Sequence, residues 1–311
     1  MSFTKIYFTF LTVILLAPAT LLAEYPERPV KIVVYTAPGG LIDITARKVA
    51  DILKKNFVKT PVIVENKKGA GGVTALSYVL RRPADGYTLF GVTNSLITKI
   101  TALNQDSRLK KLTFLAKMVK DYECLITRKN SGISNLNDLI NDAKQKNGAQ
   151  LWAGPAAGGK DHLFALKSWK AFGIKARWIP YRSGAEALVA VMGSHADVYV
   201  GNPADTAGRE NLKILAVSSS NRLPTFSDVP TFGELGFNTL TNEAIWRGFA
   251  IRADAPDSIK QSVKDLLKKV SSTKEWQEKK KKNYAVPIFE TGKPLLDCIL
   301  AEIKRRKAFS G

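Results

Sequence analysis

The sequence contains few of the residues that most often bind transition metals. Its 311 residues include two histidines, His162 and His195, and two cysteines, Cys124 and Cys298, with no C-x-x-C pair. Metal sites built from His and Cys bring three or four such side chains together, so we expect neither a metal nor a cofactor. The cysteines lie far apart in sequence, and two buried free thiols are favoured over a disulfide, which stays open as the alternative.

Common catalytic motifs are also missing. There is no G-x-S-x-G, H-E-x-x-H or G-x-G-x-x-G pattern. Residues 154–161 come close to the phosphate loop G-x-x-x-x-G-K-[ST], but Asp161 would place a carboxylate against the phosphates of a nucleotide. We therefore predict that the protein is not an enzyme. An extracytoplasmic enzyme acting on an anionic substrate is the alternative.

Only one apolar run is long enough to suggest a targeting segment. Lys5 precedes apolar residues 6–16, and small residues follow at 17–20. This pattern is typical of a secretory signal peptide, which we place at residues 1–23 with cleavage after Ala19 or Ala23. We expect the mature chain in the periplasm. No cysteine follows the run, which disfavours a lipid anchor.

The charge is strongly one-sided. Lys and Arg number 47 against 27 Asp and Glu, a formal net charge of +20. Many cations cluster at 268–269, 279–282 and 304–307, in segments with helical spacing, where a charge run is usually a solvated face. Aromatic residues are not interleaved with them, as a base-stacking surface requires. We expect no nucleic-acid partner; a nucleic-acid binder would instead show steeply salt-dependent binding to DNA.

Strand-like and helix-like segments alternate along the chain. A β-branched run at 30–35 precedes a helical pattern at 42–56, and strands at 62–64 and 87–92 continue the alternation. This order predicts an α/β fold with largely parallel sheets. The pattern restarts near 115, so we predict one domain from residues 24–114 plus 221–311, a second from 115–220, and a ligand cleft between them.

Three loops rich in glycine follow predicted strands and precede predicted helices. They lie at 38–40, 69–72 and 154–159. Helix N-termini present unpaired N–H groups that favour anions, so the three loops together suggest an anion site. Asp43, His162 and Tyr181 are adjacent candidates. Capping for Asp43 and packing for the other two are the alternatives.

These loops carry motifs that resemble the Bug family of extracytoplasmic solute receptors of tripartite tricarboxylate transporters (the TctC family). Y-T-A-P-G-G-L-I-D at 35–43 is similar to the family's P-x-x-P-G-G-x-x-D, and V-E-N-K-K-G-A-G-G at 64–72 to its V-E-N-x-x-G-A-G-G. D-G-Y-T-L at 85–89, P-Y-R-S-G-A at 180–185 and D-V-P-T at 228–231 follow in family order.

The resemblance implies a type II periplasmic-binding-protein fold, with two α/β domains around a ligand cleft, that captures a small carboxylate. It implies delivery to the membrane subunits of a tripartite transporter or to a sensor, and we expect a monomer. Carried over by position, the ligand-binding residues are Ala37, Pro38, Gly39, Gly40, Asp43, Gly69, Ala70, Gly71, Gly72, Asn94 and Ser95 in the first domain, and Gly158, Gly159, His162, Tyr181 and Asn202 in the second.

The chain departs from the family pattern in three places. Tyr35 replaces the first proline, and Gly159 replaces the serine of G-x-G-S-x-x-H, where the first glycine is Ala156. The segment 202–213 is shorter than in the family. These departures bear on which carboxylate binds.

Overall fold

The computed structural model describes residues 25–282 and 285–308, without the side chains of 279–282. The predicted signal peptide lies outside the described residues. Among the helices that the structure describes, none has the length and apolar character needed to cross a membrane.

Strands and helices alternate through most of the chain. The strands are β1 (Val30–Val34), β2 (Val62–Asn66), β3 (Thr88–Thr93), β4 (Leu112–Tyr122), β5 (Cys124–Arg128), β6 (Leu151–Pro155), β7 (Arg177–Tyr181), β8 (Val198–Gly201), β9 (Leu212–Val217), β10 (Ala244–Arg252) and β11 (Val286–Glu290). The helices are α1 (Leu41–Asn56), α2 (Val73–Leu80), α3 (Asn94–Ala102), α4 (Leu136–Gln145), α5 (Lys160–Phe172), α6 (Gly184–Met192), α7 (Asp257–Ser272), α8 (Lys274–Lys282) and α9 (Gly292–Ala308).

The strands form two sheets. The first has the order β11-β4-β10-β3-β1-β2 and the second β7-β6-β8-β5-β9. Each sheet has a buried apolar cluster on both faces, as expected when helices cover both sides of a sheet. The late strand β10 lies in the first sheet, and the helices after it pack against that sheet.

The prediction of largely parallel sheets was wrong. β1 pairs in parallel with β2 and β3, and β6 with β7 and β8, but β10 is antiparallel to both neighbours, β3 and β4. β5 is likewise antiparallel to β8 and β9. The chain leaves the first sheet along β4 and comes back along β10, so these two adjacent strands run in opposite directions. A pattern of local segments does not contain this information.

The chain passes from the first sheet to the second and later returns. Both of these crossings lie later in the chain than the predicted domain limits of 115 and 220. β4 stays in the first sheet through Tyr122, so the first crossing is at Glu123. After β9, Val229, Phe232 and Leu240 still pack in the core of the second sheet, so the chain returns just before Ala244. Residues 221–243 therefore pack with the second domain, because their apolar side chains are buried there.

Both cysteines are free thiols. Cys124 is buried in the second domain, and Cys298 is half-buried against the first. The disulfide alternative is thereby set aside, although only one of the two thiols is fully buried.

Gly248 gives a direct test of how tightly β4 and β10 pack. An added Cβ at this position would lie 2.1 Å from the Ala116 carbonyl oxygen, at a point where the pairing register shifts. Backbone cannot move aside as a flexible side chain can, so Gly248→Ala should reduce the free energy of unfolding by about 2 kcal/mol or more. Urea unfolding measures this.

Gly233→Ala is the matched control. Its nearest contact would be the Thr241 methyl carbon at 3.3 Å, on a side chain that can turn away. We expect it to change stability by less than about 1 kcal/mol. Equal effects from both substitutions would contradict the tight packing of the crossing strands.

Candidate functional site

A cavity of about 270 Å³ lies between the two sheets, beyond the carboxyl ends of their parallel strands. Binding sites in open α/β sheets occur in this position. We call this cavity and its walls the cleft. Its lining comes from loops of both domains. The first-domain side includes Tyr35, Thr36, Gly40, Gly69, Ala70, Gly71, Thr93, Ser95 and Lys99. The second-domain side and the floor include Ala156, Gly159, Asp161, Tyr181, Arg182, Gly184, Tyr199, Asn202, Asp205 and Arg247.

Four helices begin at the cleft, two from each domain. Gly40 and Thr93 are the N-caps of α1 and α3, while Gly159 precedes α5 and Gly184 opens α6. Neither Gly40 nor Gly159 has a side chain to cap its helix. The N–H groups and positive dipole ends of these helices therefore create a site suited to an anion.

Half of the predicted site residues line this cleft. The structure brings together Gly40, Gly69, Ala70, Gly71, Ser95, Gly159, Tyr181 and Asn202. The remaining eight lie behind or beside its wall, namely Ala37, Pro38, Gly39, Asp43, Gly72, Asn94, Gly158 and His162. The structure gives several of these residues a specific supporting contact.

Asp43 organises the first loop from behind. Its carboxylate accepts the Gly39 N–H at 3.0 Å and the Asn66 side-chain amide at 2.9 Å, and pairs with Arg47 at 2.9 Å. These partners keep the pKa of Asp43 below its ordinary value, although its burial acts in the opposite direction. Asp43 therefore fixes the shape of the loop, which matches the capping alternative.

Asn94 and Gly72 are also supporting residues. The Asn94 side chain donates to the Ala244 carbonyl at 2.8 Å and accepts the Trp246 N–H at 3.2 Å, which ties α3 to β10. Gly72 has a φ of +105°, and a Cβ there would lie 2.2 Å from Leu96. Both residues are required by packing next to the cleft.

His162 packs under its own loop. Its Nδ1 accepts the Gly158 N–H at 3.0 Å, and its ring stacks on Trp178 with centroids 5.0 Å apart. Burial lowers the pKa of His162, with Arg306 and Lys99 adding to the effect. The ring lines a shallow groove beside the cleft, in agreement with the packing alternative.

Sequence reasoning missed the arginine in the floor of the cleft. Arg247, on β10, is 3% exposed and pairs with Asp121 on β4. It also donates to the Asn202 Oδ1 at 2.8 Å, and Asn202 donates to the Tyr122 carbonyl at 3.0 Å. Burial lowers the pKa of Arg247 to about 10, so it is a cation at neutral pH. One clue was present: a single arginine inside an otherwise apolar strand must find a partner.

Tyr35, at the position where the family pattern has proline, forms part of the first-domain wall. Its hydroxyl is 2.7 Å from the Thr93 Oγ1. Burial raises the pKa of Tyr35 to about 12, so it stays neutral. The neighbouring Thr36 Oγ1 is buried and has no hydrogen-bond partner among the described residues. Thr36 lines the cleft next to Tyr35.

Ser95 and α5 connect the two walls. Ser95 Oγ, on the first-domain side, accepts the Lys160 N–H of the second domain at 3.0 Å. A Cβ on Gly159 would lie 2.7 Å from the same oxygen. The absence of a side chain at Gly159 thus allows Ser95 to reach the start of α5, and the walls touch as in a closed conformation.

Buried carboxyl groups surround the second-domain side. Asp161 and Asp205 line the cleft and are 2% and 8% exposed, and Glu123 is fully buried nearby. Burial raises the pKa of Asp161 to about 7 and that of Asp205 to about 6. It also raises the pKa of Glu123 well above its ordinary value, and Asp161 adds to that effect.

The comparisons with known proteins agree with this architecture. The family model for the tripartite tricarboxylate transporter family receptor matches residues 45–309. BugT from Bordetella pertussis is 33% identical over 220 residues, covering 68% of this chain and 67% of BugT.

Two solved structures are similar over nearly the whole chain. The periplasmic binding protein BugD has a TM-score of 0.84 at 25% identity, covering 92% of this chain and 97% of that chain. MatC from Rhodopseudomonas palustris, with bound malate, has a TM-score of 0.82 at 22% identity, covering 91% and 99%. The predicted fold of two α/β domains around a cleft is confirmed. The chain belongs to the tripartite tricarboxylate transporter receptor family.

Proposed function

We propose that this receptor captures a small carboxylate in the periplasm by closing its two domains around it. The observation that carries the proposal is the convergence of four helix N-termini, two from each domain, on one cavity. A carboxylate that contacts both walls stabilises the closed form over the open one, which is the condition for ligand-driven closure. Malate in the similar MatC structure is consistent with this class of ligand.

The closed receptor would then deliver its ligand to the membrane subunits of a tripartite transporter or to a sensor. This step follows from the family and from the expected export of the chain through its N-terminal segment. No catalytic step is needed for it, and the protein acts by binding alone.

A thermal-unfolding screen tests the capture of a carboxylate. The chain from Glu24 onward would be refolded to remove any bound ligand, then mixed with dicarboxylates, tricarboxylates, amino acids and aromatic acids. An acid present at a hundred times its dissociation constant should add about 2.7 kcal/mol of stability, or several degrees in melting temperature.

The acid recovered after incubation should be chemically unchanged. Turnover would support the enzyme alternative instead. If the refolded chain gives native circular dichroism but no acid shifts its melting temperature, the proposed capture of carboxylates is wrong.

Lys99 should contribute to affinity. It lines the cleft, and a Cβ on Gly158 across the cleft would lie 3.7 Å from its Nζ. No carboxylate of the described residues pairs with it within 4 Å, and burial, with Arg306, lowers its pKa. A bound carboxylate would supply the missing counter-charge, so Lys99→Met should weaken binding by roughly tenfold, equivalent to about 1.4 kcal/mol.

Isothermal titration calorimetry with the best acid from the screen measures this change. Lys110→Met is the matched control, since Lys110 is exposed on a short helical turn away from the cleft. Unchanged affinity in Lys99→Met would show that the ligand carboxylate binds elsewhere.

A further inference from the structure

The Asp161 side chain is the least compensated buried charge on the cleft wall. It is 2% exposed and lines the cavity. Besides its own backbone N–H, its only hydrogen-bond partner within the described residues is Ser95 Oγ at 3.4 Å, longer than a good O–H···O bond. The acid therefore lies against the cavity without a strong partner from another residue.

The two buried cations beside the cleft, Lys160 and Arg247, pair with other acids. The Lys160 ammonium is 5% exposed, pairs with Glu243 and lies 3.9 Å from Glu302. Arg247 pairs with Asp121. Within the described part of the chain, no Lys or Arg group pairs with Asp161 at 4 Å or less.

Further acids increase the negative charge around Asp161. Glu123 has two buried carboxyl oxygens with no hydrogen-bond partner in the part of the chain that the structure describes. Asp161, Glu243 and Asp205 each act on Glu123 as like charges, and Lys160 is the opposing cation. In a chain with a net charge of +20, this local excess of acid beside the ligand cavity favours a cationic group.

A role in capping α5 does not account for the burial of Asp161. Asp138, in the first turn of α4, performs that role from a partly exposed position, where it accepts the Ser134 N–H at 2.8 Å. A partly exposed acid complements the helix dipole at a lower cost of desolvation than a buried one.

We propose that Asp161 binds the ammonium group of an amino acid whose carboxylate lies at the helix N-termini of the cleft. The inference rests on the proposed capture of a carboxylate and narrows the ligand to a zwitterion. A small amino acid with its α-ammonium near Asp161 places charges of both signs in a cavity of about 270 Å³. The same acid without its amine leaves Asp161 uncompensated.

Calorimetry with matched ligand pairs tests the inference. The pairs are aspartate with succinate, glutamate with glutarate, and alanine with propionate. We expect the wild-type receptor to bind the aminated member of at least one pair at least tenfold more tightly. Asp161→Asn should reduce this ratio to near one while it retains binding of the amine-free acid. Asp138→Asn is the control and should leave the ratio unchanged.

The direction of proton exchange gives a second readout near pH 7. An ammonium favours ionised Asp161, so an amino acid should release protons, whereas an amine-free acid should take them up. Calorimetric titrations in buffers of different ionisation enthalpy distinguish proton release from proton uptake. Asp161 interacts electrostatically with several other charged or titratable groups. They are Lys160, Asp205, Glu123, Cys124, Tyr35 and Tyr199.

The melting temperature at several pH values shows whether the Asp161→Asn variant is natively folded. Asp161 has a raised folded-state pKa, so the wild-type chain binds more protons folded than unfolded between about pH 4 and 7, and its stability falls as pH rises through this range. Asp161→Asn cannot ionise at this position, so it does not lose stability in this way as pH rises. Without ligand, it should melt at a higher temperature than wild type at pH 8, and the difference should shrink towards pH 4.

The outcomes separate the two proposals. If amine-free acids bind wild type as tightly as their aminated partners, or Asp161→Asn keeps the preference, the ammonium site is wrong and the carboxylate receptor stands. If no acid of any pair binds the natively folded wild-type chain, the carboxylate receptor is wrong and the ammonium site falls with it.

Discussion

The double crossing of the chain between its two sheets is the constraint on which the cleft depends. The chain passes out at Glu123 and back at Glu243, and the Glu123 N–H donates to the Glu243 carbonyl at 2.9 Å. Ser218 N–H donates to the Glu123 carbonyl at 2.9 Å. Because both connections lie side by side, the domains can rotate about this line while each sheet keeps its own hydrogen bonds. The loops that follow the strands then approach or separate as two opposed walls.

Charged side chains are buried close to the two connections between the domains, at a cost to stability. Arg247, Asp121 and Asn202 hold the crossing strands together in the cleft floor, and Arg247 is 3% exposed. Replacing only one partner of such a pair typically costs about 3–5 kcal/mol, because the other charge is left unpaired. The acids around Asp161 are a different case, since burial raises their pKa values. Groups that reduce stability beside a ligand cavity are explained best by a ligand that compensates them.

The sequence predicted correctly those features that depend on residues close together in the chain. Gly-rich loops after strands predicted where the cleft walls lie, and Gly40, Gly71 and Gly159 line them. The antiparallel placement of β10 depends on pairing between residues more than a hundred positions apart, so the sheets were predicted as too parallel. Arg247 and Asp161 were missed for the same reason. Asp161 was considered only as the last position of a rejected nucleotide motif, and nothing local to it shows that it faces the opposite domain.

Small-angle X-ray scattering of the ligand-stripped chain, with and without the acid that binds most tightly, tests the central claim most directly. The structure has Ser95 in contact with the start of α5 across the cleft, as expected for the closed form. Saturating ligand should reduce the radius of gyration and shift the scattering curve towards that calculated from the closed structure. A ligand that binds tightly while the scattering stays unchanged would contradict capture by domain closure.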